Sequence, residues 1–440
     1  MRSGGDWGCR SRIRDNENEL HCSTQECQVV SNHVISEIRI RNFKSIEDLT
    51  FKPGRVTVLI GENGSGKSNI LESIAFAAAA SADKLDKEFL VSRGIRVAEY
   101  TWMKSAFPPA ESCSGAEESR DIIQLSVTGE DGEPPFQCSV APSVSKVDGS
   151  FEEWIVRTPI KEADLEEALR VVDEELKPLS TQVSGATGKI DQEALRRSVA
   201  AVQLGLSKYR WLNNRAKRLG VVDYLIYAPE NTVLRTPPPD ATIEPLGARG
   251  EGLFKLLQAF GDAKFTKQLA DLKDSLHLFG WFDDFLPPDD VATAQARLQI
   301  RDRWLAPERA VFDQRSANEG FLYTLFYLTA ITSWRTPKFF AIDNVDTALN
   351  PKLCSALMRK IVELAKKYDK QVICTTHNPA ILDGLNIHDD EQRLLTVQRD
   401  SEGRTTVNRV RPPKAQPGKV PMKLSAAFVA GNIGGLPDYF

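Results

Sequence analysis

The sequence has few cysteines and histidines and no long apolar run. Its 440 residues contain only seven cysteines and five histidines, and the odd cysteine count without regular spacing excludes a disulfide framework. The longest purely apolar run covers residues 74–80, far short of the roughly 20 residues that a membrane-spanning helix needs. Residues 1–34 also lack the apolar stretch of a signal peptide. We therefore expect a cytoplasmic protein with reduced thiols and no membrane partner.

An excess of positive charge is absent as well. The 56 basic residues are outnumbered by 60 acidic ones, which gives a net charge of −4, whereas nucleic-acid-binding domains are usually basic. Residues 403–436 contain no acidic residue and are a local exception. Such a stretch can contact the phosphates of a nucleic acid, but its prolines favour a solvated, flexible segment. Nucleic acid stays an alternative partner.

The composition that is present, 41% hydrophobic and 26% charged residues, is that of a globular protein with a core. Residues 1–34 show no sustained periodicity and predict a disordered polar tail, in which Cys22 and Cys27 lack the second ligand pair of a zinc site. Residues 159–220 show helical periodicity on both sides of a break and predict a helical hairpin or arm. The arm divides a globular unit into residues 35–158 and residues 221–440.

Both parts of that unit carry the patterns of a parallel α/β fold. Residues 55–60, 222–227, 338–343 and 371–377 are compact apolar runs typical of strands, and residues 351–367 are amphipathic with helical spacing. Strand, helix and strand follow one another from residue 338 to residue 377. This order predicts parallel strands joined by a crossover helix.

A phosphate-binding loop follows the strand at residues 55–60. The motif GxxxxGK[ST] is matched by Gly61, Glu62, Asn63, Gly64, Ser65, Gly66, Lys67 and Ser68, and the helix pattern SNILESIAFAAAA starts at Ser68. Its glycines allow backbone N–H groups to surround phosphate oxygens, and the helix N-terminus adds positive potential. Lys67 is predicted to contact the β- and γ-phosphates of ATP, and Ser68 to bind Mg²⁺.

An acidic residue at the end of a second buried strand completes this chemistry. Asp343 ends the run FFAID, where a carboxylate would support Mg²⁺. The alternative is a purely structural role, in which the aspartate caps a turn.

Several separated segments, in order, resemble the ABC-type ATPases of the SMC/RecF/OLD group, and above all the small AAA-domain ATPases of bacterial anti-phage defence and abortive-infection systems. These segments are IRIRNFKSIEDLTFKPGRVTVLIGENGSGKSNILESI, RSANEGFLYTLFYL, FFAIDNVDTALNP, VICTTHNPAIL and LSAAFVAGNIGGLP. The resemblance implies a P-loop ATPase head with a mixed or parallel sheet core, an antiparallel β lobe and a helical insertion.

The resemblance also implies how the site works. Two heads would form a homodimer or a higher oligomer with ATP and Mg²⁺ sandwiched between them. Asn318, Glu319 and Gly320 would form the signature segment, which contacts the γ-phosphate bound by the partner head. His377 would sense the γ-phosphate, and Asn69 would belong to the nucleotide-binding set. Residues 92–96, with two arginines, would lie near the nucleotide or the dimer face, although a solvated basic loop explains them equally well.

Two positions depart from the family pattern. Asn318 replaces the usual serine of the signature, and Asn344 replaces the usual acid after Asp343. An amide cannot accept a proton from water as a general base, and Asp346 is the only carboxylate close enough in sequence to substitute. We therefore expect ATP binding with slow or absent hydrolysis, which is also compatible with a pure scaffold that binds ATP once.

The function that the resemblance implies is that of a sensor or scaffold ATPase in an anti-phage defence complex. ATP-dependent head dimerisation would control a separate effector, such as a nuclease or a toxin. The alternative is a RecF-like ATPase of DNA repair or maintenance that binds DNA.

Overall fold

The computed structural model describes residues 35–107, 121–144, 151–156, 192–236, 245–288, 297–412 and 422–435. The predicted tail and the first limb of the predicted helical hairpin lie outside these residues. The described chain forms three β-sheets with helices packed around them.

The largest sheet contains the strands that lead into the predicted site residues. Its strand order is β14-β13-β3-β12-β11-β7. All neighbours are parallel except β14, which pairs antiparallel with β13. Because β3, β12 and β11 are parallel neighbours, the segments that follow them meet at one edge of the sheet. The strands are β3 (Val56–Ile60), β7 (Ile226–Tyr227), β11 (Phe339–Ile342), β12 (Gln371–Thr376), β13 (Gln392–Arg399) and β14 (Thr405–Arg409).

Two antiparallel sheets complete the β structure. A five-stranded lobe has the order β2-β1-β4-β5-β6, and a small sheet has the order β10-β9-β8. The lobe consists of β1 (Ile35–Phe43), β2 (Ile46–Phe51), β4 (Ile123–Gly129), β5 (Phe136–Val144) and β6 (Phe151–Val156). The small sheet consists of β8 (Phe282–Leu286), β9 (Gln299–Asp302) and β10 (Val311–Asp313).

Ten α-helices lie in the described part of the chain. Two of them begin with asparagine caps, which satisfy the free N–H groups of the first turn: Asn318 accepts from Phe321 N at 2.7 Å, and Asn350 from Leu353 N at 3.0 Å. The helices are α1 (Lys67–Ser81), α2 (Lys87–Ser92), α3 (Tyr100–Met103), α4 (Gln192–Arg218), α5 (Asn231–Arg235), α6 (Leu253–Phe260), α7 (Thr266–Leu276), α8 (Glu319–Thr332), α9 (Pro351–Lys367) and α10 (Leu424–Val429).

The large sheet separates two apolar cores. On β3, Val58 and Ile60 belong to the core that contains α8 and α9, whereas Leu59 belongs to the core that contains α1 and the β lobe. Both faces of the strand are therefore buried, which explains its unbroken apolar sequence. Helix α1 is apolar and buried on nearly all sides. The glycine-rich loop that precedes Lys67 is therefore anchored by a buried helix.

Helix α4 joins the second core through its C-terminal turns. Leu212, Ala216 and Leu219 pack into the core that contains α1. The buried guanidinium of Arg215 pairs with Asp131 in the β4–β5 turn at 2.5 Å. The base of the predicted arm is thus attached to both the β lobe and the core behind the phosphate-binding loop.

The structure confirms the predicted head architecture of a mixed sheet core with an antiparallel β lobe. One strand is shorter than predicted, because residues 222–225 are not part of β7. Tyr224 N donates to Val221 O at 3.0 Å, which closes a turn before the strand begins. Within the described residues, no helix is long and apolar enough to span a membrane.

Candidate functional site

The predicted phosphate-binding loop joins the end of β3 to the start of α1. Two of its glycines are required by close packing against the β13–β14 hairpin. A Cβ on Gly61 would lie 2.0 Å from Val397 O. Gly66 has a φ of 106°, and its Cβ would lie 2.1 Å from Thr405 Oγ1. Only glycine fits these two positions, so the hairpin and the loop form one packed unit.

Lys67, the first residue of α1, folds back over this loop. Its Nζ donates to Gly61 O at 3.0 Å and to Glu62 O at 2.8 Å, and the residue is only 6% exposed. Burial lowers the pKa of Lys67 to about 8, although the carboxylates of Asp343, Glu62 and Asp346 act in the opposite direction. The structure therefore keeps a desolvated ammonium at the place where the motif predicts phosphate.

Ser68 and Asp343 are 275 residues apart in sequence but adjacent in the fold. Ser68 Oγ lies 3.3 Å from Asp343 Oδ2, because the ends of β3 and β11 meet at the same sheet edge. The other carboxylate oxygen of Asp343 accepts a hydrogen bond from Thr375 Oγ1 on β12. Two oxygen ligands suited to Mg²⁺ are thus adjacent, and a neighbouring strand orients the carboxylate.

Asn344 occupies the position where the family pattern has an acid. Its backbone has a φ of 52°, and its N–H donates to Thr375 Oγ1 at 2.8 Å. The residue lines the pocket in front of Lys67. Asp346 is not among the described residues that line the pocket, and its Oδ1 accepts a hydrogen bond from Thr376 Oγ1 at 2.6 Å. The predicted substitute carboxylate is therefore held by β12.

His377 follows β12 directly and also lines the pocket. Partial desolvation, together with the nearby positive charge of Lys67, lowers the pKa of His377. A neutral imidazole at pH 7 can donate one hydrogen bond and accept another. The predicted γ-phosphate sensor is thus in the pocket in a state suited to hydrogen bonding.

The pocket itself measures about 330 Å³. Four predicted site residues, Gly61, Glu62, Ser65 and Asp343, are not among the described residues that line it. Arg96 and Arg399 are lining residues that were not predicted as site residues. The described residues that line the pocket are Asn63, Gly64, Gly66, Lys67, Ser68, Asn69, Arg96, Asn344, His377 and Arg399.

Asn69 is tied to the loop and the hairpin by a small polar network. Asn69 Nδ2 donates to Ser45 Oγ at 2.6 Å, and Ser45 Oγ is 2.7 Å from Thr405 Oγ1. Thr405 Oγ1 also donates to Ser65 O at 2.9 Å. Ser45 comes from the β1–β2 turn, so three distant segments of the sequence fix the loop from one side.

The predicted signature residues lie elsewhere. Asn318 caps α8 through its Oδ1, while its Nδ2 makes no hydrogen bond with the described part of the chain. A Cβ on Gly320 would lie 2.7 Å from Ala348 O, which packs the start of α8 against the segment after Asp346. Asn318, Glu319 and Gly320 are not among the described residues that line the Lys67 pocket.

Comparisons with known proteins fit this architecture. An AAA domain model matches residues 37–198, and a model described as AAA domain, putative AbiEii toxin, Type IV TA system matches residues 214–383. A crystal structure of an SMC head bound to the C-winged helix domain of ScpA is similar with a TM-score of 0.50 and 13% sequence identity. The match covers 87% of this chain and all of that chain, and at this identity it shows the fold alone.

Local sequence matches point to the same group. The chain is 52% identical over 44 residues to a DNA double-strand break repair Rad50 ATPase of Sulfolobus acidocaldarius, and 36% identical over 63 residues to that of Methanocaldococcus jannaschii. The matches cover 10% and 14% of this chain, and only 5% and 6% of the relatives. Together with the two domain matches they confirm the family resemblance: the chain matches AAA domain models in two stretches, one of them of the AbiEii type, and it resembles the SMC/RecF-like ATPases.

Proposed function

We propose that this SMC/RecF-like head binds ATP in the pocket around Lys67 and that ATP joins two heads. Residues 61–69 would bind the phosphates. The signature at Asn318, Glu319 and Gly320 would serve the pocket of a second copy. Two observations support this arrangement: the signature does not line its own pocket, and Asn318 Nδ2 makes no hydrogen bond with the described residues.

The residues present fit a magnesium ion that arrives with the nucleotide. Ser68 Oγ and Asp343 Oδ2 are neighbouring oxygens, which are the ligands that Mg²⁺ prefers, and phosphate oxygens and water would supply the rest. In the described part of the chain, no group of three or more His, Cys, Asp or Glu residues forms a metal site by itself. When bound, Mg²⁺ neutralises phosphate charge.

Slow hydrolysis is the second part of the proposal. The observation that carries it is that Asn344 lines the pocket at the position where the family pattern has an acid. Asn344 can hold a water molecule by hydrogen bonds but cannot take its proton. Asp346 accepts a hydrogen bond from Thr376 through Oδ1 and is not among the described residues that line the pocket. ATP would then act mainly as a ligand that sets the assembly state, because binding to one state stabilises it.

The cellular role that we propose is that of the sensor or scaffold subunit of an anti-phage defence complex. Head closure would control a separate effector, such as a nuclease or a toxin. The match of residues 214–383 to the putative AbiEii toxin domain supports this role. A DNA repair role is the second candidate, and the local identity to Rad50 ATPases favours it.

The partner distinguishes these two roles. Co-purification with a toxin or a nuclease supports defence, whereas tight DNA binding that falls steeply with salt supports repair.

The turnover of ATP tests the enzymatic proposal. We expect slow phosphate release from the wild type, and a faster rate in Asn344→Glu, which restores a carboxylate at the pocket. Asn408→Glu is a matched control, since Asn408 is exposed on β14 and does not line the pocket. A fast wild-type rate that Asn344→Glu leaves unchanged would refute slow hydrolysis, and Lys67→Ala should abolish any rate.

A further inference from the structure

Arg399 lies at the end of β13, outside all of the motifs, and lines the same pocket as Lys67. Its Nε donates to Gly64 O at 2.9 Å, and its Nη1 donates to Gly403 O. The guanidinium therefore bridges the tip of the phosphate-binding loop and the β13–β14 turn. Five N–H donors are available in a guanidinium, so these two bonds leave donors for a ligand.

The three cations of the pocket differ in how their charge is compensated. Arg96 Nε donates to Glu72 at 2.5 Å, and the Glu72 side chain is buried at 2% exposure. Lys67 is desolvated, and loop carbonyls surround its Nζ. Arg399 forms no ion pair with a carboxylate in the described part of the chain. Among these three cations, the positive charge of Arg399 is the least compensated by neighbouring groups of the protein.

The acids nearest to Arg399 in sequence are occupied by other partners. Asp400 Oδ1 accepts from the backbone N–H groups of Glu402 and Arg404 at 2.9 and 2.8 Å. Glu402 pairs with the side chain of Arg404. The carboxylates of Asp400 and Glu402 therefore bind groups within the β13–β14 turn. The guanidinium of Arg399 lines the pocket.

We propose that Arg399 binds a phosphate group of the nucleotide in the pocket of its own chain. This inference rests on the proposed function, since it needs ATP in that pocket. Guanidinium groups suit phosphate because they combine a permanent charge with paired donors. The β13–β14 hairpin then forms a third wall of the phosphate site, beside the loop and the end of β11. It holds the loop through Thr405 and the ligand through Arg399.

The test compares Arg399→Gln and Arg399→Lys with Arg409→Gln by isothermal titration with MgATP and with inorganic tripolyphosphate. Arg409 is a matched control because it lies in the same hairpin and pairs with Asp390 at 2.5 Å, away from the pocket. We expect Arg399→Gln to weaken the binding of both ligands about tenfold or more, Arg399→Lys to weaken it less, and Arg409→Gln to leave it unchanged.

Thermal unfolding without ligand separates ligand contact from a purely structural role. We expect Arg399→Gln to keep the wild-type Tm, while the rise in Tm on adding MgATP becomes smaller. A variant with a lower ligand-free Tm but wild-type affinity overturns the inference, as does wild-type affinity with an unchanged Tm. Failure of the wild type to bind MgATP at all would instead overturn the proposed function.

Discussion

Two sets of residues at the pocket differ in what they offer to a nucleotide. On the phosphate side, the loop at residues 61–68, Lys67 and the Ser68–Asp343 pair bring together an ammonium and two neighbouring oxygens, which suit phosphate and Mg²⁺. Beside Asp343, at the position where the family pattern has an acid, Asn344 presents an amide, and the next carboxylate, that of Asp346, accepts a hydrogen bond from Thr376. In the proposed function, binding and hydrolysis therefore depend on separate residues, and a chain can keep the first while it loses most of the second.

The largest expected effect is the loss of MgATP affinity when Lys67, on the phosphate side, is replaced. Lys67→Ala removes the ammonium that the loop carbonyls hold, so we expect MgATP affinity to fall about 100-fold, at the upper end for a charged hydrogen bond. Titration calorimetry measures the loss, and Lys366→Ala, on the exposed end of α9, is the control. Affinity within about threefold of the wild type would mean that the phosphates bind elsewhere.

A pair of glycine substitutions sharpens the comparison within the loop. Both Gly64 and Gly66 have positive φ, but only at Gly66 would a Cβ collide with Thr405, since nothing lies within 4 Å of a Cβ on Gly64. We expect Gly66→Ala to cost about 3 kcal/mol of unfolding free energy, and Gly64→Ala about 1 kcal/mol. Urea denaturation measures both values, and equal costs would contradict the observed contact between hairpin and loop.

The pH dependence of ATP binding tests the state of Lys67. Because burial lowers its pKa to about 8, the ligand-free protein must take up a proton above that pH to present the ammonium. MgATP affinity should therefore decrease as pH rises above about 8, by at most about tenfold per pH unit. Lys67→Arg should show a flatter profile. An affinity that increases with pH would show that the neutral amine is the binding form.

The smallest expected effect concerns the polar network behind the loop. Thr405→Val removes the bond from Thr405 Oγ1 to Ser65 O, whereas Thr405→Ser keeps the hydroxyl. We expect Thr405→Val to weaken MgATP binding about threefold to tenfold, which matches one neutral hydrogen bond, and Thr405→Ser to restore most of it. If both variants lose affinity equally, packing of the methyl group rather than the hydrogen bond positions the loop.

The local parts of this site could be predicted from the sequence. A β-branched strand, a glycine-rich loop and an apolar helix are contiguous between residues 55 and 80, and α9 was predicted with its observed ends, Pro351–Lys367. Asp343 was predicted from its place at the end of a compact apolar run, and His377 from the family resemblance. For the strand, the loop and the helix, periodicity and spacing carry this information directly.

The hairpin that closes over the loop could not be predicted in the same way. Thr405 and Arg399 contact residues more than 300 positions away in sequence, and only the pairing of β13 beside β3 brings them there. The basic stretch from residue 403 was interpreted as a solvated segment or a nucleic-acid contact, and its first part forms β14, where Thr405 packs against the phosphate-binding loop. A nonlocal contact leaves no periodic signal in a single sequence.

The mass of the protein in solution with and without MgATP tests the central claim most directly. The account predicts that MgATP doubles the mass of the wild-type assembly unit, that ADP does not, and that Lys67→Ala stays at the nucleotide-free mass. A mass that MgATP leaves unchanged, although calorimetry shows the nucleotide bound, would contradict the idea that ATP joins two heads.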